Sequence, residues 1–151
     1  MGKTIIIGVG NPILGDDGIG IHVTRELQKI IDDPMVTITE AYTGGMNLLD
    51  MMIGYDKAII VDAMVSPNNI GEVKRLELEE LPPTGSSNPH NISLMEAILL
   101  ARKLGEDNIP RSIIIIAVMI PRPIEFREEL SENVAAAIPR AVAAAIEEIR
   151  R

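Results

Sequence analysis

Three short apolar runs rich in β-branched residues constrain this chain more than any other feature. Residues 4–9 read Thr-Ile-Ile-Ile-Gly-Val, 57–62 read Lys-Ala-Ile-Ile-Val-Asp, and 112–118 contain four consecutive isoleucines. Such runs show no polar alternation and are bounded by turn residues such as Gly10-Asn11-Pro12. They fit strands buried on both faces, the condition of a parallel sheet covered by helices.

The intervening segments supply the covers. Val23, Leu27, Ile30 and Ile31 recur at helical spacing, with Asp16 and Asp17 placed to cap or precede the first turn and Pro34 beyond the end, so a helix is expected over 17–32. Residues 35–40 alternate as a strand, and a small helix is expected at 46–53 after Gly44-Gly45. A further strand fits 71–78, followed by a Pro-, Gly- and Ser-rich turn region at 81–89. Leu94, Ala97, Ile98 and Ala101 mark a helix over 93–104. A final helix is read from Val134, Ile138, Ala141, Val142, Ala145, Ile146 and Ile149 on one face. The expectation is a single α/β domain over residues 1–151: a twisted, mostly parallel five-stranded sheet with helices on both faces.

Composition narrows the function classes. A formal net charge of -8 repels phosphate backbones, and one Phe with two Tyr offers almost no platform for stacking bases, so nucleic acid is not an expected partner. The absence of Cys excludes a disulfide, a thiol nucleophile and a thiolate metal site. No stretch approaches the ~20 apolar residues that span a bilayer, and the N-terminal apolar run is too short for a signal peptide. No membrane association and a cytoplasmic location are therefore expected.

Residues 8–20, from Gly8 through Asp16-Asp17 to Gly20, follow a strand and open a helix as a dinucleotide loop would. Two aspartates at that helix start oppose a diphosphate, which disfavours nucleotide binding. One aspartate is accounted for as a cap worth about 1 kcal/mol; the second needs another reason. Asp62 closes a buried run, where Asp commonly just opens a turn. In an open α/β sheet, however, loops at the strands' carboxyl ends form the ligand edge, which brings Asp17 and Asp62 towards one cleft. His22 falls inside the first expected helix and is read as structural. His90, beside Asn91 where the turn-rich loop meets a helix, is expected at the same edge. Two carboxylates and an imidazole make an incomplete sphere suited to a borderline divalent ion such as nickel or zinc, with positions left for water or a partner's ligands.

These residues carry a resemblance. Gly-Val-Gly-Asn at 8–11 with Gly-Asp-Asp-Gly at 15–18, Val-Asp-Ala at 61–63 and His-Asn at 90–91, in this order and spacing, resemble the hydrogenase maturation endopeptidases. That family trims the C-terminal extension from the large subunit of nickel-iron hydrogenases. The likeness covers nearly the whole length. It implies that Asp17, Asp62 and His90 are both the metal-contacting and the catalytic set, and that Asp16 is a helix-start partner. The nickel is implied to be carried by the substrate, the hydrogenase large-subunit precursor, and no resident metal is implied. Gly44-Gly45 and the 126–138 region resemble structural elements of the family, whereas the segment from Pro121 to Glu125 departs from many relatives and bears on substrate preference.

Two routes to hydrolysis stay open: a metal polarising the scissile carbonyl while Asp17 or Asp62 accepts a proton from water, or the two aspartates sharing a proton without a metal. The competing function is a non-catalytic nickel metallochaperone using the same ligands.

Overall fold

The computed structural model describes residues 2–42, 46–78, 89–122 and 126–151. The elements run β1 (Thr4–Val9), a 3-10 turn (Gly15–Gly18), α1 (Ile19–Ile30), β2 (Val36–Ala41), α2 (Met46–Met52), β3 (Lys57–Val65), β4 (Val73–Glu77), α3 (Pro89–Lys103), β5 (Ser112–Ile120), α4 (Glu132–Ala135) and α5 (Ile138–Arg150). One five-stranded sheet has the order β2-β1-β3-β5-β4, with every pairing parallel except β4 against β5.

The unbroken apolar runs supply both layers because successive strand residues point to opposite faces. Ile5, Ile7, Ala58, Ile60, Ile113 and Ile115 pack with Leu48, Leu49 and Met52 of α2 and Ala97 and Ile98 of α3. Ile6, Ile59, Val61, Ile114 and Ile116 pack on the other side with Ile19, Val23 and Leu27 of α1 and Ala141, Val142 and Ala145 of α5. β1 is buried along its whole length. The edge strand β4 instead exposes Lys74 and Arg75, which blunts an edge that would otherwise invite pairing with another chain.

Several boundaries differ from the sequence reading. The helix expected over 17–32 begins only at Ile19, after the 3-10 turn, and neither aspartate caps it: Gly18 occupies the N-cap without a side-chain hydrogen bond. β3 does not stop at Asp62 but continues to Val65, because β5 keeps pairing with it as far as Ile120. The helix expected over 93–104 starts at Pro89, a residue suited to a first turn because its missing N–H is not needed there. The final helix is two helices, α4 and α5, and Pro139 sits in the first turn of the second. The readings at 43–45, 79–88 and 123–125 lie outside the described residues. Among the described residues, no helix is long and apolar enough to cross a membrane.

Candidate active site

The strand order creates the site. From β1 the chain goes to β2 on one flank, then crosses to β3 on the other. The connections after β1 and β3 therefore diverge at their carboxyl ends, the edge where open α/β sheets bind ligands.

The backbone brings Asp17 to this edge. Gly10, at φ 152°, turns the chain sharply after β1, and a Cβ there would collide with the Asp17 carbonyl. The segment then folds back on itself: Leu14 N donates to Asn11 O at 3.0 Å and Asp17 N to Leu14 O at 3.2 Å. The Asp17 carboxylate accepts the Asn11 amide at 2.9 Å. The 3-10 turn carrying Asp17 packs against β3. Gly20, at the start of α1, lies so close to the Val9 and Val61 carbonyls that no side chain fits between them.

Asp62 stands where the two strands part. The β1–β3 ladder ends at the Gly8–Val61 pair, whereas the β3–β5 ladder continues through Asp62–Ala117. Asp62 is thus the first β3 residue beyond its β1 neighbour. It is 1% exposed, and its Oδ1 accepts the Ala63 amide at 2.8 Å. By alternation it shares the face of Ala58 and Ile60, the face covered by α2 and α3.

His90 lies in the first turn of α3. The helix leads into β5, which runs parallel to β3, so α3 travels back towards the amino edge and its first turn lies towards the carboxyl edge. The His90 side chain lies outside the described residues. The fold thus places the Asp17 turn against the strand of Asp62 and carries His90 on a helix covering Asp62's face. Among the described side chains, which do not include the His90 imidazole, no group of three His, Cys, Asp or Glu could hold a metal ion.

Asp16 does something the sequence did not suggest. It is 7% exposed, and its two oxygens accept the Ser131 amide at 2.7 Å and the Ser131 hydroxyl at 2.9 Å. It therefore ties the turn after β1 to the segment before α4 rather than capping α1. The same two segments form a parallel bridge between Leu14 and Arg127. The partners are more than a hundred positions apart, and no local pattern announces them. His22, in α1, is partly buried; burial first and the neighbouring Arg25 charge second lower its pKa below the ordinary histidine value.

Likeness to known proteins gives this edge of the sheet a context. The family model described as hydrogenase maturation protease matches residues 21–148, a stretch that includes Asp62 and His90 and begins after Asp17. The hydrogenase 2 maturation protease of Escherichia coli K12 is 34% identical over 144 residues, covering 93% of this chain and 86% of that protein. The solved hydrogenase maturating endopeptidase HybD of E. coli superposes with a TM-score of 0.85 at 32% identity, covering 98% of this chain and 92% of that one. A hydrogenase 2 maturation peptidase from a Thaumarchaeota archaeon superposes with a TM-score of 0.71 at 26% identity, covering 97% of each. Matched along most of its length in both sequence and fold, the chain belongs to the hydrogenase maturation protease family and is an endopeptidase.

Proposed function

We propose that this endopeptidase removes the C-terminal extension from the nickel-loaded precursor of a nickel-iron hydrogenase large subunit, acting in the cytoplasm as a single catalytic domain. Asp17, Asp62 and His90 are the residues that engage the nickel and perform the cut. The observation that carries the proposal is that the Asp17 turn packs against β3, the strand on which Asp62 is the first residue past the end of β1.

The donor set suits a substrate-borne ion. Two carboxylates and one imidazole, with no thiolate, make a site of modest strength that can complete the sphere of a nickel held by the substrate's own ligands without extracting it. When bound, the nickel supplies polarisation of the scissile carbonyl. The chain supplies the base: Asp17 or Asp62 takes a proton from the attacking water. The Asn11 and Ala63 amides fix the orientation of the two carboxylates before substrate arrives. A proton shared between the two aspartates is the competing mechanism, and it predicts cleavage that does not depend on nickel.

The test is digestion of the precursor, with and without nickel, read by mass spectrometry. The proposal expects a shorter product from the nickel-loaded precursor alone. Equal cleavage of both forms contradicts nickel recognition, and transfer of nickel with no change in mass would identify a metallochaperone instead.

A further inference from the structure

The chain's single phenylalanine, Phe126, is 78% exposed, and Ile13 is 50% exposed. The two belong to segments that meet through the backbone. Arg127 N donates to Ile13 O at 2.9 Å and Gly15 N donates to Arg127 O at 2.7 Å, the pattern of a parallel bridge between Leu14 and Arg127. In that register position 126 stands level with position 13, which brings the two exposed residues side by side.

Hydrogen bonds hold both segments that carry this apolar pair. Asp16 clamps Ser131 with two hydrogen bonds, fixing the far end of the second segment. Asn11, two residues before Ile13, gives its amide to the Asp17 carboxylate and accepts the Ile13 amide on its own side-chain oxygen at 3.1 Å. Hydrogen bonds therefore link Ile13 through Asn11 to the Asp17 carboxylate, on backbone tied down by its own contacts. Preordered apolar surface loses little entropy on association, the property of interface anchors. Glu128 and Glu129 are exposed beside it and outnumber the exposed Arg127 of the same segment.

We propose that Ile13 and Phe126 form a docking ledge for the protein substrate, seating an apolar side chain flanked by basic residues next to the scissile segment. The apolar pair sets the first requirement, and the adjoining glutamates set the second by charge complementarity. The ledge rests on the peptidase reading, since the occupant is the substrate of the neighbouring site.

The test uses the source organism's nickel-loaded large-subunit precursor with wild type, Phe126→Ser, Ile13→Ser and Phe126→Leu. Both positions are exposed, and a urea titration checks that each variant folds as wild type does. Phe126→Ser is expected to raise KM about tenfold with kcat within about twofold, the behaviour of a lost anchor. Ile13→Ser raises KM less, and Phe126→Leu recovers most of the loss. Glu128→Lys raises KM further. An unchanged KM in Phe126→Ser, or a fall in kcat with KM intact, overturns the ledge. If wild type leaves the precursor uncut, the peptidase reading fails by itself, and the ledge is decided by titrating the same precursor for binding. Affinity about tenfold weaker for Phe126→Ser than for wild type upholds it, whereas equal affinity or no binding overturns it.

Discussion

Two buried carboxylates sit towards opposite edges of one sheet and are held in different ways. Glu148 of α5, its side chain 2% exposed, takes Arg75 Nε at 2.6 Å and Nη2 at 3.2 Å, with Lys57 Nζ at 3.7 Å and Arg151 Nε at 3.6 Å. Lys57 is the first residue of β3, and its ammonium also donates to the Glu148 carbonyl at 2.8 Å. At the carboxyl edge, Asp62 accepts a backbone amide, as does Asp17, and Asp16 accepts an amide and a hydroxyl. A ring of cations spends a carboxylate's charge on holding the fold together. A neutral amide, as at Asp17, orients a carboxylate while leaving its charge to act on what binds there.

Substitution should separate the two edges. The largest effect is expected at the carboxyl edge: Asp62→Asn and Asp17→Asn keep side-chain shape but remove the charge, and processing of nickel-loaded precursor should fall by about 100-fold or more. His90→Gln should do the same. Denaturant titration should find all three folded; full processing by any of them would break the assignment.

Glu148→Gln is expected to act in the opposite sense. It leaves Arg75 and Lys57 facing a neutral group, and loss of one partner from a buried ion cluster costs about 3 kcal/mol. The midpoint in urea should drop while turnover per folded molecule stays at the wild-type value. Arg75, as hydrogen-bond donor and then as a charge, holds the Glu148 carboxyl below its usual pKa against the opposing pull of burial, with Lys57 and Arg151 adding to it. A folded-state pKa below the unfolded one means this stabilisation is present above the ordinary carboxylate range and is lost as pH falls through the lowered value. The gap between wild type and Glu148→Gln should therefore close in strong acid, and a gap that persists would show that the charge is not its source.

Asp16→Asn tests the clamp between the two segments. An amide keeps one acceptor but not both, so a loss of about 1.5 kcal/mol is expected, together with a smaller loss of processing than at Asp17. The smallest effect belongs to His22→Gln. Because burial and Arg25 lower the His22 pKa, protonation opposes folding, and stability is expected to decline as pH falls through the ordinary histidine value towards the folded one. The variant should lack that slope and otherwise stay within about 0.5 kcal/mol of wild type.

The parts of the fold legible in sequence were those set by local pattern. The isoleucine runs announced central strands because no polar residue interrupts them, and they are the residues that feed both cores. The parallel arrangement followed from the helices between them, and the carboxyl-edge location of Asp17 followed from the arrangement. Tertiary contacts decided the rest. Asp is a favoured helix cap, yet Asp16 is drawn to Ser131 and Asp17 to Asn11, so a 3-10 turn replaces the expected first turn of α1. β3 outruns Asp62 because β5 offers it a partner, a fact no window around Asp62 contains. The break between α4 and α5 had a local signal in Pro139, which the strong apolar periodicity of the surrounding helix obscured.

Anomalous diffraction at the nickel edge from a crystal soaked in a nickel salt shows whether Asp17, Asp62 and His90 meet around one ion. One peak is expected, bounded by a carboxylate oxygen of Asp17, a carboxylate oxygen of Asp62 and a ring nitrogen of His90, each at about 2.0–2.2 Å. A peak that leaves out one of the three, with that side chain turned away from the other two, would contradict that arrangement.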